Sequence, residues 1–179
     1  GVLSGVVVAR LMGPQGRGEL AAIQAIPVIL PMIAGLGGWQ SVVFFTAKNS
    51  KESGAVLGNA MVMALVACVP ICLLGLALQN HLLAAYSIPV LQAGSIYMLY
   101  VPLTVFFAMP WSAFHGLQQF QAFSLLRLQP QLLYMGVILT AYLFGHNTPS
   151  WIMNTHIVLL TCVCVPTVWL VYARFVAKP

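Results

Sequence analysis

The sequence predicts an all-α protein, a polytopic bundle of about six helices that span a membrane. Hydrophobic residues make up 61% of its 179 residues and charged residues only 5%, whereas charged residues form about a quarter of soluble domains. Its apolar runs approach the roughly 20 residues that a helix needs to cross a hydrocarbon core. These runs are continuous rather than alternating with polar residues, which argues against a transmembrane β-barrel.

The apolar runs place the helices in chain order. Residues 1–9 are too few to span, so we expect them to be the end of a first helix that is truncated. Each later run is expected to form one spanning helix: residues 20–47, 55–78, 91–114, 131–144 and 151–172. The whole chain, residues 1–179, is therefore predicted to form a single transmembrane bundle.

Prolines are expected to bend the second and fourth of these helices. Pro27 and Pro31 lie one helical turn apart in the second, and Pro102 and Pro110 lie in the fourth. A proline removes a backbone donor and kinks the helix, which a membrane bundle tolerates where neighbouring groups satisfy the freed carbonyl. These bends are candidate points about which the helices rock during transport.

Aromatic and polar residues predict where the membrane surfaces lie. Tyr97 and Tyr100 near one end of the fourth helix, and Trp111 near the other, are expected at the two interfaces. Residues 115–130 (HGLQQFQAFSLLRLQP) place glutamines between apolar residues at near-helical spacing, which predicts an amphipathic connection on the membrane surface. Arg127 in this connection is expected to reach the lipid headgroups.

The basic residues predict the orientation of the bundle. One set of alternate loops carries five of the seven Lys and Arg residues: Lys48, Lys51, Arg127, Arg174 and Lys178. The other set carries only Arg10 and Arg17, so the first set is expected on the cytoplasmic side and residues 9–20 on the outer side. Because the basic residues are scattered rather than forming a stripe, the net charge of +5 does not predict a nucleic-acid partner.

Residues 9–20 (ARLMGPQGRGEL) concentrate polar chemistry between two apolar runs. They have three interpretations: a site for an anionic group, a turn between two helices, or a solvated loop. Arg10 is the best candidate for anion binding, because a guanidinium binds phosphate oxygens in a bidentate manner. Arg17 and Glu19 are expected to form a local ion pair or cap in a turn shaped by glycines.

The remaining reactive residues do not predict a metal site, a cofactor or an enzyme. The four cysteines lie in apolar runs and are expected to be small buried hydrophobes, and the four histidines are dispersed: Cys68, Cys72, Cys162 and Cys164; His81, His115, His146 and His156. The two carboxylates, Glu19 and Glu52, lie in loops on opposite predicted sides and cannot act as a general acid and base pair.

Two stretches together resemble the polysaccharide transporter family of O-antigen flippase type, which belongs to a superfamily that also holds lipid II flippases and multidrug and toxin extruders. The residues that carry the resemblance are Ala9, Arg10, Leu11, Gly13, Pro14, Gly16, Arg17, Gly18 and Glu19 in the first stretch, and Gly116, Phe120 and Arg127 in the second.

The resemblance implies one lobe of a two-lobe flippase in a bacterial cytoplasmic membrane. Its second, C-terminal lobe would be missing or supplied by a partner subunit. The implied activity is movement of lipid-linked oligosaccharide or polysaccharide precursors across the membrane by alternating access, in contact with membrane lipids. The candidate residues for contact with this substrate are Arg10, Arg17, Glu19, Trp39 and Gln40.

Two other functions are alternatives. A cation-coupled multidrug antiporter of the same superfamily would want a carboxylate inside the bundle, and the chain offers only the loop residues Glu19 and Glu52. A scaffold that recruits glycan-assembly enzymes without transporting anything would tolerate alanine at Arg10, whereas a flippase that uses Arg10 for phosphate would not.

Overall fold

All regular structure in the part of the chain described here is helical. The computed structural model describes residues 2–35 and 37–176, and the side chains of residues 5–35 and 37–173. The helices are α1 (Val2–Ala34), α2 (Gly38–Lys48), α3 (Ser53–Leu83), α4 (Ile88–Tyr97), α5 (Tyr100–Gly116), α6 (Phe120–Phe144) and α7 (Pro149–Val176). A single 3-10 turn, Ser50–Glu52, precedes α3.

Five segments are long and apolar enough to cross a membrane: Gly5–Lys48, Ser50–Leu83, Ile88–Gly116, Phe120–Phe144 and Pro149–Ala173. The first segment contains both the short first run and the second predicted helix, so the count agrees with the predicted bundle of about six helices. The segments alternate in direction: the hydroxyl of Ser150 donates to the carbonyl of Pro89 at one end of the bundle, and Gly116 packs against the backbone of Val43 at the other.

The predicted turn at residues 9–20 is replaced by one residue that leaves the helix. Helix α1 runs through this stretch, and only Gly13 has non-helical torsions, with φ 68° and ψ −172°. Glycine tolerates this conformation, and Pro14 then begins the second helical segment, a position where its missing N–H costs no helical bond. The first two predicted helices are therefore joined by a sharp break rather than by a loop.

Pro27 removes one backbone hydrogen bond from α1. Because proline has no N–H, the carbonyl of Ile23 loses its usual donor one turn later. The side-chain nitrogen of Gln79 in α3 donates to this carbonyl at 2.9 Å. Gln79 is only 1% exposed, so a buried side chain of one helix replaces a missing backbone bond in another.

The span that holds α4 and α5 is discontinuous at Met98 and Leu99. Pro102 cannot donate to the carbonyl of Met98, and the N–H of Val101 bonds that carbonyl instead at 3.1 Å. This shorter pattern tightens the chain into a turn. The turn divides the predicted fourth helix into two.

Helix α6 is longer than expected. The prediction had a helix over 131–144 after an amphipathic connection, but α6 begins at Phe120 and is continuous through Pro130. The residues expected on the membrane surface are therefore the first half of a candidate span. This span has the lowest buried share of the five, 11%.

The core consists of three clusters along the bundle. One, at the end near Ser150, joins α1, α3, α4, α6 and α7 through residues such as Ile23, Ile138 and Ile152. The second joins α1, α2, α3 and α5 around Leu57 and Val101. A smaller one packs α5 against α7, and Leu126 and Leu133 of α6 pack against it.

Candidate functional site

Helix α6 carries a row of exposed polar side chains inside its candidate span, which we call the α6 polar stripe: Gln121, Ser124, Arg127 and Gln131. Their spacing of three or four residues places them on one side of the helix. Leu125, Leu128 and Leu132 form an adjacent exposed row. A polar row in a membrane span is expected to face water or protein rather than lipid.

Aromatic rings hold Arg127 in this stripe. Its guanidinium carbon lies 5.9 Å from the centroid of the Trp111 ring and 5.7 Å from that of Phe123, distances typical of cation–π contacts. Phe123 in turn stacks on His115 at 4.6 Å. Arg127 was predicted to extend from a surface helix to the headgroups; it lies in the continuous helix α6 and packs on Trp111 of α5, and its contact with headgroups stays a prediction.

A second polar group lies between α1, α4, α5, α6 and α7, with Tyr97 and His156 buried and the other members half-buried. We call it the His156 cluster, formed by Gln24, Tyr97, Tyr100, Tyr134 and His156. The Tyr97 hydroxyl lies 3.1 Å from Nδ1 of His156. The amide of Gln24 donates to the Tyr134 hydroxyl at 3.2 Å. Tyr97 and His156 are 2% and 3% exposed.

The rings of the three tyrosines surround the imidazole of the His156 cluster. Their centroids lie 5.9 Å (Tyr97), 6.1 Å (Tyr100) and 5.1 Å (Tyr134) from that of His156. Nε2 of His156 is buried and has no hydrogen-bond partner among the described residues. The cluster is thus a polar site with one unused nitrogen.

Tyr97, expected at a membrane interface, is buried in the core of the bundle. The span begins at Ile88, so Tyr97 is nine residues inside it, on a side that faces the bundle. The sequence did contain a signal for this cluster. Three separate apolar runs each hold a polar residue that belongs to it, namely Gln24, Tyr134 and His156. Tyrosine is common both at interfaces and inside bundles, and sequence alone does not separate the two.

Within residues 9–20, Arg17 and Glu19 do not form the ion pair that was expected. Arg10 and Arg17 are exposed and Glu19 is half-buried, and no ion pair is present among the residues whose side chains are described. Because α1 is helical here, residues 17 and 19 point to different sides, which separates Arg17 from Glu19. A cavity of 460 Å³ at the Gly13 break is lined by Arg17 and not by Arg10.

Trp39 and Gln40 follow the break between α1 and α2. The Trp39 ring covers Gly35 so closely that a Cβ there would collide with it, and Gln40 is exposed. A cavity of 380 Å³ between α2 and α3 is lined by Gly38 and Ser41, but Trp39 and Gln40 are not among its lining residues. The structure therefore does not bring the five predicted substrate residues into one site.

Other features place fewer limits on chemistry. The largest cavity described, 530 Å³, lies between α3, α5 and α7 and is almost entirely apolar. Cys68 and Cys164 are buried, Cys72 is half-buried and Cys162 is exposed. Within the described ranges, no three His, Cys, Asp or Glu residues lie together. The side chain of Arg174 and all of Lys178 lie outside the described residues.

The comparisons with known proteins add no family to these observations. No family model, curated protein or solved structure matches the chain.

Proposed function

We propose that this chain is part of a membrane transporter of flippase type that moves lipid-linked oligosaccharide or polysaccharide precursors across the membrane. The observation that carries the proposal is the α6 polar stripe, a cation with glutamine and serine side chains exposed within a candidate span. Such a row suits a path for a hydrophilic headgroup through the hydrocarbon region.

The chemistry of the stripe fits this substrate. A lipid-linked glycan presents phosphates and sugar hydroxyls, and a guanidinium binds phosphate oxygens through paired hydrogen bonds. Amides and hydroxyls donate to and accept from sugar hydroxyls. Trp111 and Phe123 fix the guanidinium of Arg127, so less side-chain entropy is lost when a phosphate binds.

The breaks in the spanning segments fit a protein that changes conformation. Discontinuous helices in transporters accompany binding sites inside the membrane, and here the α4–α5 turn places Tyr97 and Tyr100 in the His156 cluster. Glycine and proline breaks at Gly13 and Pro102 supply points where helix segments can change their relative angle.

The test is translocation by the full-length protein in proteoliposomes that contain a lipid-linked oligosaccharide. Arg127→Ala is expected to lower the initial rate at least tenfold, because the phosphate loses a charged partner, and Arg127→Lys is expected to restore only part of it. Lys51→Ala, an exposed charge outside the stripe, is the matched control and should translocate as the wild type does.

Arg10→Ala and Arg17→Ala in the same assay decide between the two arginines of the first stretch. Because Arg17 lines a cavity at the Gly13 break, we expect the larger loss from Arg17→Ala. Absence of glycan translocation together with efflux of drugs would contradict the proposal and favour the multidrug antiporter. Full glycan export by cells that carry Arg127→Ala at normal protein levels would favour the scaffold.

A further inference from the structure

The His156 cluster lies deep in the candidate spans. His156 is seven residues from the start of α7, Tyr97 is nine from the start of α4, and Tyr134 is ten from the end of α6. At about 1.5 Å per residue these positions are roughly 10–15 Å from the same end of the bundle. An ionisable side chain at such a depth is costly to desolvate and usually has a function.

The cluster has room for only a very small ligand. Tyr97 and His156 are almost fully buried, and neither lines any of the three cavities described above. A sugar or a phosphate could not reach Nε2 in this arrangement. A proton adds almost no volume and needs only a basic nitrogen, which the neutral imidazole supplies.

We propose that His156 is a proton-binding site within the transport bundle, and that binding or release of this proton is coupled to bending between α4 and α5. The role in transport rests on the proposed function, whereas proton binding can be measured without it. The step transfers one proton from water to a ring nitrogen and breaks no covalent bond. The ring then carries one positive charge, and both of its nitrogens become donors.

The surroundings offer partial compensation for that charge. The hydroxyl of Tyr97 can accept from Nδ1–H, and the rings of Tyr97, Tyr100 and Tyr134 lie about 5–6 Å from the imidazole in tilted or T-shaped arrangements. The compensation is incomplete because no carboxylate is part of the described cluster. Protonation therefore favours a conformation in which water reaches the ring.

The groups that face the ring come from four neighbouring elements. The titratable ones are Tyr97 of α4, Tyr100 of α5 and Tyr134 of α6, all uncharged at neutral pH, and α1 contributes the uncharged Gln24. The titratable Cys68 and Cys72 of α3 pack in the second core cluster instead. Cys164, two turns further along α7, packs in the third.

The position of Tyr97 explains why the proton would affect the bend. Tyr97 is the last residue of α4, and Met98 and Leu99 immediately after it form the turn that Pro102 imposes. In the charged ring Nδ1–H can only donate, so the Tyr97 hydroxyl can only accept from it, whichever ring nitrogen carried the hydrogen before. The change is thus applied next to the turn between α4 and α5.

Proton binding is tested directly by nitrogen NMR of the full-length protein, labelled with 15N-histidine and held in lipid nanodiscs, between about pH 3.5 and 8. The signal absent from His156→Gln identifies the residue. We expect this signal to change from the neutral to the charged form within the range, and to shift in Tyr97→Phe. His81→Gln, which removes an exposed histidine at the end of α3, should leave it unchanged.

The coupling is tested in proteoliposomes with and without a pH gradient. For one coupled proton, the distribution of the lipid-linked oligosaccharide should change about tenfold per pH unit in the wild type and in His81→Gln, and not at all in His156→Gln. A His156 signal that stays neutral throughout overturns the proton site, and if His156→Gln does not fold, the shift in Tyr97→Phe identifies the signal instead. If the His156 signal titrates but translocation does not depend on the pH gradient, the coupling is overturned. If the wild type translocates nothing, the proposed function fails while the nitrogen titration still decides the proton site.

Discussion

Gln79 and Pro27 form a pair in which one residue compensates for the other. Pro27 takes away the backbone donor of the Ile23 carbonyl, and the buried amide of Gln79 supplies a substitute at 2.9 Å. A buried carbonyl without a partner costs about 1–3 kcal/mol. The side-chain nitrogen of Gln79 therefore stabilises α1 although it lies in an apolar region. The other polar atom of this amide, Oε1, has no partner among the described residues.

Gln79→Leu is expected to lower the free energy of unfolding by about 1–3 kcal/mol, because the Ile23 carbonyl loses its only side-chain donor. In the background Pro27→Ala the same change should cost less, since the N–H of residue 27 can then donate to that carbonyl. Thermal unfolding of the four proteins in one detergent measures this. Gln92→Leu, at an exposed position, is the control, and equal costs in both backgrounds would refute the compensation.

At the scale of the elements, α2 and α5 approach each other at Gly116. A Cβ on this residue would lie 2.7 Å from the backbone oxygen of Val43 and 3.3 Å from the backbone nitrogen of Ala47. Backbone atoms cannot rotate away as a side chain can. The contact therefore requires glycine and fixes how α2 lies against α5.

Gly116→Ala is expected to destabilise the bundle by about 1–3 kcal/mol, because the added methyl must separate α2 from α5. Gly136→Ala, in the middle of α6 with nothing within 4 Å of the added atom, should be neutral or slightly stabilising because alanine is the better helix former. Unfolding midpoints of both variants in the same detergent provide the measurement. A Gly116→Ala midpoint at or above that of Gly136→Ala would contradict the close approach.

At the scale of the whole molecule, the loops near Lys48 and Lys51 lie at the opposite end of the bundle from residues 145–148. The charge distribution predicts that the first end is cytoplasmic. Arg127 no longer supports this count, because it lies inside α6 rather than in a loop. Lys48 and Lys51 are the basic residues with described side chains that still do.

Single cysteines in a background without the four native ones test the orientation. Asn147→Cys should react with a membrane-impermeant maleimide in intact cells, and Asn49→Cys should react only after permeabilisation. Both positions are exposed, so accessibility to reagent differs only through the membrane. The reverse pattern would show that the bundle is inserted the other way.

The sequence was sufficient for the helical bundle and the alternation of its ends, because apolar run length and short polar connections determine both. The sequence did not predict that α6 begins at Phe120, because glutamines within a candidate span give the same pattern as an amphipathic surface helix. It also did not predict that Tyr97 is buried, because this depends on how other segments pack around it. The candidate site was predicted least well, since the α6 polar stripe and the His156 cluster exist only through the tertiary arrangement.

The bond between Gln79 and the Ile23 carbonyl has a consequence for how such a sequence can change over generations. If Pro27 is replaced first, the helix regains its own donor and position 79 becomes free to vary. If Gln79 is replaced first, the carbonyl is left unpaired and the intermediate is penalised. Related sequences should therefore often lack both residues or keep only the glutamine, and should rarely keep the proline alone.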